Sequence, residues 1–230
     1  MMPLSRFTPT AIVCIAGLLA SGCATHSAPY ARALEALWTT GSQPALPQQP
    51  DPAYRYLLIE ASDASPALLV LGYEDPHPLG PIEVWYSARQ EVIKTQNGRI
   101  VGTAGLPVNW DRVRFPVPPP GWQAVPTTGS QYQRQRDLSP GYRANLADQI
   151  TIQPHTGQPD IPLPASLPST TATSLQWFRE DTHGSTNPLP TAWFAWGSHR
   201  GQVGIVYSHQ CLSPQYCLQL QRWPQEPTRP

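Results

Sequence analysis

The sequence predicts an all-β protein, an antiparallel meander folded into a barrel-like or sandwich domain. Three observations carry that expectation. The stretch Ile82 to Leu106 reads as three successive strands joined by tight turns, because β-branched and aromatic residues alternate through Ile82–Ser87, Val92–Thr95 and Arg99–Thr103. Asn97-Gly98 lies between the last two, and a two-residue hairpin turn needs positive φ at both positions, which Asn and Gly adopt at least cost. The same strand-turn-strand pattern recurs from Tyr54 to Trp223, with prolines gathered in the connections, so an antiparallel sheet fits and a parallel one does not.

The N-terminal region differs. An apolar run, Ala11 to Ala20, contains Cys14, follows the single basic residue Arg6 and is too short to span a bilayer, which makes it a signal-peptide core. It ends in Leu19-Ala20-Ser21-Gly22-Cys23. That ending resembles the lipobox of bacterial lipoproteins and implies lipidation at Cys23; the alternative is an ordinary signal peptide cut at a neighbouring small residue. Ala24 stands where Asp would mark inner-membrane retention, so the resemblance implies an outer-membrane, periplasm-facing lipoprotein. Acyl chains worth about 0.8 kcal/mol per buried methylene anchor it without the polypeptide entering the bilayer.

The expected organisation is a signal peptide at 1–22, a lipidated, Pro/Gln-rich tether at 23–52, a β domain at 53–223 and a flexible tail at 224–230. Within the tether, Tyr30 to Thr39 predicts a short helix with Ala31, Leu34 and Trp38 on one stripe, to rest on the domain or on the membrane surface. Ser42 to Pro52 is an extended spacer. Strands are then expected at Tyr54–Ala61 and Ala67–Tyr73, followed by the central meander. Pro107 to Ser130 holds six prolines and shows no periodicity, so it reads as a long loop whose Trp110 and Trp122 either face a sugar or pin the loop to the core.

Tyr132–Asp137 and Tyr142–Gln153 follow as strands around Ser139-Pro140-Gly141, with Leu146, Ile150 and Ile152 on one parity. Pro154 to Thr171 reads as a loop at one end of the domain. Ser174–Asp181, Thr191–Trp196, Val203–Ser208 and Tyr216–Trp223 complete ten to eleven strands.

Composition excludes some functions. The 15 Lys+Arg balance 15 Asp+Glu, so there is no basic field to hold nucleic acid. All the cations except Lys94 are Arg, which suits forked recognition of carboxylates or simply reflects codon composition. Cys211 and Cys217 close a short loop in an exported, disulfide-permissive compartment and are expected to be bonded, contributing about 2 to 2.5 kcal/mol on the chain-entropy model. With His209 they fall short of a tetrahedral metal site, and no cofactor is implied.

No nucleophile elbow, zinc-protease motif or phosphate-cradling glycine loop occurs. The adjacent Glu180 and Asp181 point to opposite faces of a strand and cannot flank one glycosidic bond. Glu83 has apolar neighbours on both faces, which leaves it either a perturbed acid or the partner of an arginine such as Arg99. Catalytic residues are therefore not assigned. A polar cluster of Glu83, Arg99, Arg134, Arg136 and Asp137 is expected either to bind a ligand, with the arginines holding acidic sugars, or to be structural, with Arg99 paired to Asp137.

Several short motifs together carry a family resemblance. Gly72 in LVLGY, Glu83-Val84-Trp85-Tyr86-Ser87, Asn97-Gly98-Arg99-Ile100 with Thr103-Ala104-Gly105-Leu106, Tyr132 to Leu138 as Y-x-R-x-x-D-L, and Ser208-His209-Gln210 before Pro214 resemble the YjbF/GfcB lipoproteins of capsule and exopolysaccharide loci. The chain departs from that pattern at Ala88-Arg89-Gln90, where Asp-Gly is usual, and in its two C-terminal cysteines. The resemblance implies a non-enzymatic accessory of extracellular polysaccharide production or export, with the polymer or export-machinery proteins as partners. A lipid- or glycan-binding β module is the alternative, and a carbohydrate-modifying enzyme ranks third.

Overall fold

The computed structural model describes residues 50–62, 64–167, 169–184 and 188–224. The expected signal peptide, Cys23, the Tyr30–Thr39 helix, most of the tether and the tail from 225 lie outside the described residues. Twelve strands are described: β1 (Tyr56–Ala61), β2 (Ala67–Asp75), β3 (Ile82–Ser87), β4 (Val92–Gln96), β5 (Arg99–Ala104), β6 (Asn109–Val117), β7 (Ser130–Ser139), β8 (Arg143–His155), β9 (Gln176–His183), β10 (Ala192–His199), β11 (Gln202–Ser213) and β12 (Tyr216–Trp223). The helices described are one short turn, α1 (Ser169–Ala172), and a 3-10 turn at Trp122–Ala124. Neither is long and apolar enough to cross a membrane.

All strands join one antiparallel sheet in the order β5-β4-β3-β2-β1-β12-β11-β10-β9-β8-β7-β6. Every pair is sequential except β1 with β12, so the sheet is a meander whose two halves meet at the chain's ends. Its outer strands, β5 and β6, are joined by only four residues, which brings the sheet's edges together and nearly closes a barrel. Side chains pin the seam. Thr103 Oγ1 accepts the Trp110 N–H at 2.9 Å, and Asn109 both accepts from the Leu106 N–H and donates to the Leu106 carbonyl.

Strand parity sets the interior. Leu57 and Ile59 of β1, Leu69 of β2, Trp85 of β3, Ile93 of β4, Leu138 of β7 and Leu218 and Leu220 of β12 form one buried cluster. Tyr132, Ile150, Ile152, Phe178, Phe194 and Ile205 continue it with Trp122. The alternate residues Tyr56, Leu58, Leu68 and Val70 form a separate cluster with Tyr54 and Trp223. Trp177, Ala195 and Tyr207 are likewise turned away from the interior, where Ile161, Leu163 and Leu167 of the Pro-rich connection cover them. That connection therefore lies along the sheet's outer face and not simply at an end.

One expectation is corrected. Pro107 to Ser130 is not a structureless loop, because β6 occupies Asn109–Val117 and pairs with β7. The prolines are tolerated because β6 is an edge strand, and Pro116 falls within the register shift between Arg114 and Val117, where the ladder is already broken.

The Asn97-Gly98 turn forms as expected, with φ of 49° and 81°. Its tip is folded against β11: a Cβ on Gly98 would lie 2.5 Å from Ile205 Cβ. Gln210 of β11 holds the hairpin by accepting the Ile100 N–H at 3.0 Å and donating to the Gly98 carbonyl at 2.9 Å. The barrel is thus bridged across its interior between β5 and β11.

Candidate functional site

Charged residues occur at inward-facing positions of several strands, and each group meets an indole. Glu83 of β3 accepts from Arg55 Nη2, from Arg222 Nη2 of β12 at 2.6 Å and from Thr95 Oγ1 at 3.0 Å. The Arg222 guanidinium lies 4.8 Å from the Trp85 ring centroid, and Trp85 Nε1 donates to Thr95 Oγ1. Three donors around one carboxylate compensate its desolvation.

Arg99 forms the second group. Its Nε donates to Glu180 Oε1 at 2.9 Å; Nη2 lies 2.7 Å from the same oxygen, as an ion-pair contact outside hydrogen-bonding geometry. Tyr132 donates its hydroxyl to the other Glu180 oxygen at 2.8 Å, and the guanidinium stacks 3.8 Å from the Trp122 ring centroid. Burial alone would lower the Arg99 pKa, but the Glu180 charge and Tyr132 outweigh it and raise it. Burial, reinforced by the Glu180 charge, raises that of Tyr132.

In the third group, Arg134 and Arg136 of β7 both bond Asp148 of β8, at 2.9 Å and 2.5 Å through their Nε atoms, and both lie over Trp110. Burial raises the Asp148 pKa, yet the bond from Arg136 and the two guanidinium charges win and hold it below the usual carboxylate value.

The expected cluster of Glu83, Arg99, Arg134, Arg136 and Asp137 therefore divides. Arg134 and Arg136 share a partner, whereas Arg99, Glu83 and Asp137 belong to three other pairings. The expected Arg99–Asp137 and Arg99–Glu83 pairs are not formed. Asp137 meets Arg112 at 3.4 Å and accepts the Asn145 N–H at 2.8 Å. Trp122 and Trp110 both pin to the core, donating from Nε1 to the Asn97 and Leu212 carbonyls.

Cys211 and Cys217 are bonded to each other across the β11–β12 hairpin. Their sulfurs lie near His209, but in the bonded state neither is a thiolate available to a metal.

Sequence reasoning did not single out Arg55, Asp148 and Arg222. For two of them a signal was present: Asp148 shares parity with Ile150 and Ile152, and Arg222 shares it with Leu218 and Leu220. A charge on the apolar parity of a strand must find a partner inside.

One end of the barrel is open. There a cavity of about 210 Å³ lies between the start of β1, the β4–β5 hairpin, the end of β10, the start of β11 and the end of β12. Arg55, Arg222, Glu83, Trp122 and Trp196 line it together with Gln202 to Val206. No sequence motif marks Trp196 or Gln202, because the mouth is assembled from ends of strands distant in the chain.

A family model described as group 4 capsule polysaccharide lipoprotein gfcB, YjbF, matches residues 39–222. In fold the chain is similar to the crystal structure of the hypothetical lipoprotein YmcC from Escherichia coli (K12), with TM-score 0.52 and 18% identity over 76% of this chain and 85% of that one. No curated protein matches the chain.

Proposed function

The chain belongs to the YjbF family of group 4 capsule polysaccharide lipoproteins, and from that premise we propose that it is a non-enzymatic accessory of extracellular polysaccharide production or export. Lipid attached at Cys23 holds it at the outer membrane, facing the periplasm, where the β domain contacts the polymer or other export components. The family match over 39–222 carries this reading.

The disposition of the carboxylates supports recognition over bond-breaking. Glycosidic hydrolysis needs two carboxyl groups facing one bond. Glu83, Asp137, Glu180 and Asp181 are instead engaged in four separate pairings, Asp181 with Arg179 and Thr191. The motif residues behave likewise. Asn97, Gly98, Arg99 and Thr103 build a hairpin and pin a seam, while Gln210 donates to Ser208 Oγ and ties β11 to that hairpin.

A lipid-binding interior is the second reading, and it is less well supported. Trp85, Trp110, Tyr132 and Phe178 fill the barrel, and the mouth cavity of about 210 Å³ lies below the roughly 300–1,000 Å³ of pockets that take drug-sized apolar ligands.

Deletion of the gene, with quantification of surface polysaccharide and complementation by wild type or Cys23→Ser, tests the proposal. Loss of polymer on deletion, restored by wild type and not by the Cys23 variant, is expected. Unchanged polymer after deletion refutes the accessory role, and full rescue by Cys23→Ser refutes the need for the anchor.

A further inference from the structure

The open mouth of the barrel combines three features that the core does not: room, an accessible cation and indole rings beside it. Its cavity of about 210 Å³ is too small for an extended acyl chain and suits one sugar ring. The charged side chains lining it are Arg55, Arg222 and Glu83, two cations against one anion. Glu83 bonds one nitrogen of each guanidinium and so orients both. Arg222 is held further by the face of Trp85 and its Nη1 is buried, so the more exposed Arg55 is the cation that solvent and ligand reach first.

Such an arrangement suits a carboxylate. A guanidinium is planar, permanently charged and forked, and when already oriented by a neighbour it loses little freedom on binding. Glu74 pairs with Arg55 from outside the cavity, at 40% side-chain exposure, so solvent screens that contact more than the one to Glu83. Trp196, partly exposed, and Trp122, largely buried, supply apolar surface against which the CH face of a pyranose packs. Gln202 adds an amide at the rim for hydroxyl groups.

We infer that this mouth binds a single carboxylated sugar unit of an acidic polysaccharide, its carboxylate on the Arg55–Arg222 side and its ring against Trp196. The inference rests on the polysaccharide reading above and adds the chemical class of the polymer. It also separates the binding residues from the motif residues, which build the interior and its turns.

Arg55 and Trp196 provide the test, one as the more exposed cation of the mouth and the other as its apolar wall. The full-length lipoprotein in detergent micelles is titrated with tri-galacturonic acid, its methyl-esterified form and inorganic phosphate, read by calorimetry and tryptophan fluorescence. Saturable binding of the acid is expected, at least tenfold tighter than of the ester or of phosphate and weakened by salt. Arg55→Gln and Trp196→Leu are each expected to weaken it at least tenfold while remaining folded by circular dichroism. Equal binding of acid and ester, preference for phosphate, or full binding by folded variants overturns the inference. In cells, polymer lost on deletion but fully restored by Arg55→Gln removes the pocket's role and leaves the accessory role standing. Unchanged polymer on deletion removes the accessory role itself.

Discussion

Arg99 and Glu180, from strands β5 and β9, meet inside the barrel with Arg99 Nε 2.9 Å from the Glu180 carboxylate, and each side chain is 6% exposed or less. Their geometry links the β4–β5 hairpin to the opposite wall, because Arg99 directly follows the turn at Asn97-Gly98. Removing one partner leaves the other charge without compensation in a low-dielectric site, which costs about 3 to 5 kcal/mol for buried pairs. Arg99→Met and Glu180→Met are therefore each expected to be severely destabilised in urea unfolding at neutral pH. The double variant is expected to be less damaged than the worse single one, since only the Tyr132 hydroxyl then loses its bond, about 1 to 3 kcal/mol. Additive losses would contradict this account.

The pairing also shows where sequence reasoning stops. Parity places Arg134, Arg136 and Glu83 inside, because each shares a strand face with buried apolar residues, whereas Arg99 is offset by one from interior Ile100 and alternation alone does not place it. Which charge meets which depends on closure of the sheet, and Asp137 is no closer in sequence pattern to Arg99 than Glu180 is. Ile82–Ser87 and the Asn97-Gly98 turn were legible because local alternation and backbone preference agree there. β6 was not, since an edge strand needs neither two apolar faces nor freedom from proline, and Asp111, Arg112 and Arg114 leave it little periodicity. At Ala88-Arg89-Gln90 the departure from Asp-Gly is absorbed by Gln90, which takes the left-handed conformation at φ 68°.

Gly98 and Gly201 separate two costs that usually travel together. Both have positive φ, 81° and 74°, but a Cβ at Gly98 would strike Ile205 at 2.5 Å, whereas one at Gly201 would meet nothing within 4 Å. Gly201→Ala is expected to lose only the left-handed penalty, about 1 to 2 kcal/mol. Gly98→Ala adds overpacking of about 1 to 3 kcal/mol. Equal midpoints for the two variants in urea would show that the hairpin tip is not packed as described.

Cys211 and Cys217 face each other in register on β11 and β12, so their bond closes a loop that the hairpin already forms. On the chain-entropy model a loop this short still contributes about 2 to 2.5 kcal/mol. Replacing both residues with Ala is expected to lower the melting temperature by about 4 to 10 °C for a domain of this size, with the strand content unchanged by circular dichroism. A melting temperature equal to that of the oxidised wild type would mean that the hairpin's own pairing already supplies the constraint.

His209 gives the fold a pH dependence of definite sign. It lies on β11 between Gln219 and Trp193, its Nδ1 is buried without a hydrogen-bond partner, and burial lowers its pKa below 6.5. Below pH 6.5 the unfolded chain takes up a proton that the folded protein resists, so stability falls as pH drops from 6.5 toward the folded-state pKa and is fully present above 6.5. Asp148, also depressed, loses its contribution only at more acid pH, as pH falls below the carboxylate's ordinary value of 3.8. The two effects therefore separate. His209→Gln, which cannot be protonated, is expected to match or trail the wild type at pH 7.5 and to gain on it steadily between pH 6.5 and 5 in urea unfolding. Parallel stability curves for the two proteins across that range would mean that the imidazole is protonated as readily in the fold as in the unfolded chain.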